Sequence, residues 1–243
     1  MKTPWKGALS RRAALGALAL VMMLSASACR TEPESGAAAA DPDLSRRAQE
    51  AALRVGGVLG VQVTPKVRMA ASARDAARDI GAASVDGLAA VAHDGEVIVI
   101  PETYARLTPA GRDVVLTHEL THVAAGTDGL PPWLYEGFAD YVAYRDAGLA
   151  VPVAAAELAK EVRAGKLPRT LPDAARFAPG SPRLAQSYQE AWLACRFLAG
   201  RFGEDRLVRI YREARSQGVA RALPLSMAEL TARWRAYLRE ELA

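Results

Sequence analysis

The apolar residues in the first part of the chain occur in short runs. Residues 58–63 and 67–70 contain β-branched and apolar side chains and predict two strands, and a short helix is expected from residue 46 to about 53. Ser72 is a favourable helix N-cap and predicts a helix that runs to Ile80. The first part of the chain is therefore expected to contain both strands and short helices.

Two further apolar runs, residues 88–92 and 96–100, lie on either side of the sequence His93-Asp94-Gly95. An Asp-Gly pair between two such runs is the strongest short-range signal for a two-residue hairpin turn. A β-hairpin is expected here, with His93 as a turn residue.

From residue 108 onward the apolar positions recur with helical spacing. Thr108-Pro109 predicts a helix start, because threonine is a good N-cap and proline is tolerated in the first turn. This helix is expected to end near Gly126, and a second one to run from Pro132 to about Gly148. Further helices are predicted over residues 153–165, from Ser187 to Phe202, over residues 206–214, and from Ser226, which forms a capping box with Glu229.

These elements predict an α+β protein with a small N-terminal sheet lobe and a mainly helical C-terminal lobe. Residues 46–243 are expected to form this folded domain, which is long enough to bury a substantial core. Residues 167–182 form a proline-rich connection that is long enough to be functional. It could wall or cover one side of a cleft.

Residues 1–28 have the composition of a secretory signal. Four basic residues and no acidic ones precede or border an apolar run from Ala13 to Leu24, which is too short for a confident membrane span. Small residues then lead to Cys29, as in bacterial lipoproteins, so a lipid anchor on Cys29 and plain secretion both stay open. Residues 29–45 are small and polar and predict a flexible tether.

Charge and cysteine content exclude two classes of function. The chain has 31 basic and 27 acidic residues, and without the four basic residues of the signal the two charges balance. With no basic patch, nucleic acid is not an expected partner. Cys195 lies among apolar helix residues and is expected to be a small buried hydrophobe, not a nucleophile.

The strongest chemical signal is the sequence His118-Glu119-Leu120-Thr121-His122. Two histidines four residues apart lie on one face of a helix and can bind one metal ion. The glutamate between them can act as a general base on water at that metal. This is the H-E-x-x-H pattern of zinc hydrolases.

The second predicted helix supplies the remaining ligand. A catalytic zinc needs a third protein ligand and an open position. Turn residues separate the two helices, so the second can fold back and bring Glu136 towards the histidines, with Asp140 one turn later on the same face. Asp140 can accept the other ring N–H of a ligand histidine and so fix its orientation. His93 is not needed to complete this set.

The sequence Trp133-Leu134-Tyr135-Glu136-Gly137-Phe138-Ala139-Asp140-Tyr141, together with the histidine pair, resembles the gluzincin zinc peptidases. The likeness is greatest to the peptidase MA-like proteins of actinobacteria, and it extends over roughly residues 85–215. It implies a gluzincin (thermolysin-like) fold with one zinc per chain on His118, His122 and Glu136. It also implies Glu119 as base and proton shuttle and Asp140 as support for a histidine.

The same resemblance concerns two further parts of the chain. In aminopeptidase-like gluzincins a tyrosine at the start of a later helix stabilises the tetrahedral intermediate, and Tyr188 matches it in order and local pattern. An aromatic residue that only packs at the helix start is an equally good interpretation. The family's strand along the cleft pairs with substrate, and its aminopeptidase branch carries a glutamate there. Residues 87–91, Gly-Leu-Ala-Ala-Val, have no such carboxylate.

The sequence therefore predicts a zinc metallopeptidase, with internal cleavage of a peptide or protein substrate outside the cytoplasmic membrane. A catalytically silent zinc-binding lipoprotein that acts as a binding module is the alternative from another class. Glu119 argues against it, because a structural zinc site needs no base. An aminopeptidase is the alternative within the same class. The sequence does not determine the oligomeric state.

Overall fold

The computed structural model describes residues 42–243. The predicted signal peptide, residues 1–28, and Cys29 lie outside the described residues. The first helix, α1, runs over Pro42–Leu59, so residues 42–45 belong to a helix and not to the tether predicted over residues 29–45. Asp43 in its first turn forms ion pairs with Arg46 and Arg47, which stabilises this early start.

Helix α1 also changes two other predictions. It is longer than the helix expected over residues 46–53, and Val58 and Leu59 form its buried last turn, not a strand. Residues 60–66 contain no strand either, so the strand predicted over residues 58–63 is wrong. The reason is packing: the apolar face of α1 continues through Val55 and Val58 into the main core, which a short apolar run alone does not reveal.

The sheet has three strands: β1 (Val67–Met69), β2 (Ala90–His93) and β3 (Glu96–Val99). Its order is β1-β3-β2, with β1 parallel and β2 antiparallel to the central strand β3. The predicted hairpin is confirmed, and its turn residues Asp94 and Gly95 both have positive φ, at 46° and 81°. His93 is the last residue of β2, directly before that turn. Strand β2 lies at one edge of the sheet.

Helices make up most of the remaining chain, and the α+β class with a small sheet is confirmed. The helix predicted over residues 153–165 is broken at Ala155 into two pieces. The α-helices are α2 (Ala73–Asp79), α3 (Pro101–Tyr104), α4 (Pro109–Ala125), α5 (Pro132–Tyr144), α6 (Val151–Ala154), α7 (Ala156–Arg163), α8 (Leu184–Phe202), α9 (Glu204–Gln217), α10 (Val219–Ala222) and α11 (Met227–Leu242). Residues Ala174–Phe177 form one turn of 3₁₀-helix.

Several helix boundaries follow from local signals in the sequence. The Thr108 side chain accepts a hydrogen bond from the Gly111 amide at the start of α4, and Gly126 ends that helix with φ 69°. Ser226 and Glu229 form the predicted capping box at the start of α11. None of the helices within residues 42–243 combines the length and apolar character needed to cross a bilayer.

The main core is a stack in which α5 lies between α4 and α8. Helices α5 and α8 approach most closely at Gly137. A Cβ atom on Gly137 would lie 2.2 Å from the carbonyl oxygen of Ala191 and 3.1 Å from the Sγ atom of Cys195. Only a residue without a side chain fits this contact. A second, smaller apolar cluster covers the other face of the sheet and contacts α2.

We predict that Gly137→Ala lowers the free energy of unfolding by ~3 kcal/mol, because overpacking a close helix contact forces the backbones apart. Urea unfolding of the purified domain measures the change. Gly200→Ala in α8 is the matched control, since its Cβ would meet nothing within 4 Å. That variant should gain ~0.5–1 kcal/mol from helix propensity. Equal stability of the two variants would show that the α5–α8 contact is looser than described.

Candidate metal centre

Helix α4 presents His118, Glu119 and His122 to the interior of the molecule. All three side chains are buried, and the two imidazole centroids are 4.6 Å apart. The four-residue spacing places both rings on one face, one turn apart. The predicted metal-binding face of this helix is therefore formed.

Helix α5 adds two carboxylates to the same place. The turn between the helices contains Gly126 and Gly129, both with positive φ. Beyond this turn, α5 packs against α4 and buries both Glu136 and Asp140. Asp140 Oδ1 lies 2.8 Å from His118 Nδ1, so the ring can donate this N–H to the carboxylate. That contact leaves His118 Nε2 as the acceptor.

The three predicted ligand atoms converge. His118 Nε2 is 3.0 Å from His122 Nε2 and 3.2 Å from Glu136 Oε2, and His122 Nε2 is 3.3 Å from the same oxygen. A zinc ion with ligand distances of about 2.0–2.1 Å has tetrahedron edges of roughly 3.3 Å. The triangle therefore matches one face of such a tetrahedron.

The donor and acceptor inventory of this cluster also fits a cation. Asp140 takes the Nδ1–H of His118, so a neutral His118 turns its Nε2 acceptor towards Glu136 Oε2, and only a proton or a metal ion between these two atoms satisfies both. Glu136 Oε1 is also buried with no hydrogen-bond partner within the described residues. Buried acceptors without donors are costly, and a cation relieves that cost. His118, His122 and Glu136 can thus hold a metal ion.

The charges and hydrogen bonds within this cluster shift the pKa values of its members. Burial lowers the pKa of His118, but the charge and hydrogen bond of Asp140, helped by Glu136, raise it well above its usual value. Burial raises the pKa of Glu136, yet His122 and His118 outweigh burial and hold it below its usual value. The cluster thus favours positive charge beside ionised Glu136.

Glu119 lies beside the ligand triangle without being part of it. Its Oε2 accepts a 2.8 Å hydrogen bond from the amide of Ala92 in edge strand β2. Its Oε1 is buried and has no hydrogen-bond partner within the described residues. Burial raises the pKa of Glu119. One oxygen is therefore fixed, and the other is free to accept a proton.

Tyr188 reaches the same site from α8. Its ring centroid is 6.4 Å from that of His118, and its hydroxyl is buried with no hydrogen-bond partner in the described part of the chain. Burial, with the nearby charges of Glu136 and Asp140, raises its pKa well above the usual value. The hydroxyl therefore stays protonated and can donate.

The predicted site residues lie together, and the group of described residues that could hold a metal ion consists of His118, His122 and Glu136. Three neighbours were not predicted. The first is the Ala92 amide, which no side-chain pattern in the sequence indicates. The second is Tyr135, whose ring packs edge-on against that of His122 with centroids 5.9 Å apart. The third is Phe177, which packs against Tyr188. Tyr135 precedes Glu136 directly, so its position in the motif could have indicated its contact.

Comparisons with known proteins identify no relative of this chain. No family model, curated protein or solved structure matches this chain. The function is therefore inferred from the geometry of the site.

We predict that His122→Ala abolishes stoichiometric metal binding, because it removes one corner of the ligand triangle. Elemental analysis of the purified protein after metal loading and desalting provides the measurement. His93→Ala is the matched control and should retain one metal ion per chain. Stoichiometric metal in the His122→Ala variant would refute the ligand assignment.

Proposed function

We propose that this protein is a zinc metallopeptidase of the gluzincin type that cleaves peptide bonds. The proposal rests on the set of possible metal ligands together with the glutamate beside them in the sequence. His118, His122 and Glu136 form a triangle of ligand atoms, and Glu119, whose carboxylate interacts with the charges of all three, keeps one buried oxygen without a hydrogen-bond partner within the described residues. A structural zinc site is closed by four protein ligands and needs no base, whereas a catalytic site has three ligands and a base.

Zinc is the metal that suits this donor set best. Two imidazole nitrogens and one carboxylate oxygen are the ligands of zinc peptidases, and magnesium or calcium would require mostly oxygen ligands. The contact between Asp140 and His118 supports the same conclusion, since zinc-bound histidines commonly donate their second N–H to a carboxylate.

Within this proposal each residue has a defined task. When bound, zinc supplies a Lewis acid that polarises the peptide carbonyl and lowers the pKa of water. Glu119 accepts the proton of the attacking water at Oε1 and passes it to the leaving nitrogen, while Ala92 holds Oε2 in place. Tyr188 donates its hydroxyl hydrogen bond to the developing oxyanion.

Edge strand β2 is the proposed support for the substrate. It pairs with β3 on one side, and the Ala92 amide on its other side faces Glu119. An extended peptide can add to such an edge. Residues 87–91 bring no carboxylate to bind a free amine, which favours internal cleavage over the removal of N-terminal residues.

The sequence also supports a location. We place the enzyme outside the cytoplasmic membrane, either lipid-anchored through Cys29 or secreted. A peptide or protein is the expected partner in both cases. A catalytically silent zinc-binding module is the second candidate function. Such a module would give no role to the unpaired oxygen of Glu119.

Cleavage of a diverse peptide library, analysed by mass spectrometry, tests the proposal. We predict that the zinc-loaded protein makes internal cuts and that Glu119→Gln, which keeps the shape of the side chain, makes none. Loss of single N-terminal residues would instead indicate an aminopeptidase. A protein that holds zinc and cuts no peptide or candidate protein substrate would favour the binding module.

Tyr188→Phe should lower kcat by on the order of a hundredfold, because the variant loses one hydrogen bond to the oxyanion. Its zinc content and KM should change little, since the hydroxyl is not a ligand and acts in the transition state. Tyr144→Phe, at a half-buried tyrosine on α5, is the control for removal of a hydroxyl. Equal turnover in Tyr188→Phe and wild type would remove Tyr188 from the mechanism.

A further inference from the structure

The proposed catalytic groups are closed off from solvent. Oε1 of Glu119 and the hydroxyl oxygen of Tyr188 have almost no accessible surface. Both atoms would have to touch water or substrate during hydrolysis. Some part of the protein must therefore move before a peptide can reach them.

The elements that supply the site residues are poor candidates for this movement. Helices α5 and α8 are in backbone contact at Gly137, and β2 is paired with β3 and hydrogen-bonded to Glu119. The proline-rich connection between α7 and α8 differs from them. Within the described residues its backbone hydrogen bonds are local, such as those from Ala178 to Ala175 and from Ser181 to Ala178.

Two of the side-chain contacts that hold this connection on the site are made with α8. The buried ring of Phe177 packs edge-on against Tyr188, with centroids 5.2 Å apart and an interplanar angle of 84°. Arg176 Nη2 lies 2.7 Å from Oε2 of Glu190, which is fully buried on α8. Tyr188 in turn lies against His118, so Phe177 and the metal ligands share one aromatic neighbour.

We propose that residues 171–182 form a lid that closes the site, and that Arg176 and Phe177 are its latch. The lid regulates access to the centre described above. Its effect on catalysis depends on the proposed function, whereas its effect on access to the metal centre does not.

The charges around Glu190 allow the latch to open. Glu190 also pairs with Arg183, at 3.1 Å, so it keeps one cationic partner when Arg176 leaves. Arg176 is already 24% exposed and can be hydrated outside the pair. Opening therefore leaves no buried charge unpaired, which would otherwise oppose it strongly.

The surroundings of the lid also allow movement. Gly180 has φ 78°, a conformation that suits glycine, and it lies between the latch and the start of α8. At the other end, a groove beside Leu171 and Pro172 extends between Trp133 of α5 and Met227 of α11. The lid thus has a glycine at one end and a groove beside the other.

Release of zinc to the chelator dipicolinate tests the lid without any peptide. The zinc-loaded mature protein is compared with the variants Arg176→Gln and Phe177→Ala, which change side chains of the lid and none of the packed helices. Each should release zinc roughly tenfold faster, as expected when one packing contact is lost. Arg169→Gln, an exposed position in the same connection, is the matched control and should release zinc at the wild-type rate.

Hydrogen–deuterium exchange of residues 171–182 gives a second readout that needs neither metal nor activity. It should rise in the same two variants and not in the control. Wild-type rates of release and exchange in both latch variants, or equal increases in the control, would overturn the proposal. If release accelerates as expected but no variant cleaves peptides, the lid stands and the peptidase proposal fails.

Discussion

Three potential ligand atoms converge in the interior of this protein, and the packing of the surrounding helices holds them there. Two imidazole nitrogens and a carboxylate oxygen lie 3.0–3.3 Å from one another. Such an arrangement needs a positive charge, either a proton on His118 or a metal ion, because the buried groups have lost their hydration. A metal ion bound there would therefore stabilise the folded protein.

Several contacts around the three ligand atoms hold them in place. Gly137 lets α8 approach α5 directly beside Glu136, and the same helix pair brings Tyr188 towards His118. Asp140 orients His118, and an edge-strand amide orients Glu119. The same α8 carries Glu190, the anchor of the lid latch. Packing, metal binding and access to the site thus depend on the position of one helix.

Local signals allowed much of the fold and most of the site to be predicted. Asp94-Gly95 identifies the hairpin, and Thr108 and Ser226 mark helix starts, because turns and caps depend on neighbouring residues. The histidine pair is set by helix geometry alone. Packing between distant segments left no local signal in the sequence. Val58 belongs to a helix because it packs into the main core, and Phe177 contacts Tyr188 from a separate element of the chain.

X-ray absorption at the zinc edge measures the ligand set of the centre. We predict one zinc per chain with two imidazole ligands, one carboxylate ligand and a further light-atom position at about 2.0–2.1 Å. The same spectrum should persist in Glu119→Gln, since that residue is outside the triangle. A sulfur ligand, a fourth protein ligand or altered metal ligands in that variant would rule out this set of ligands.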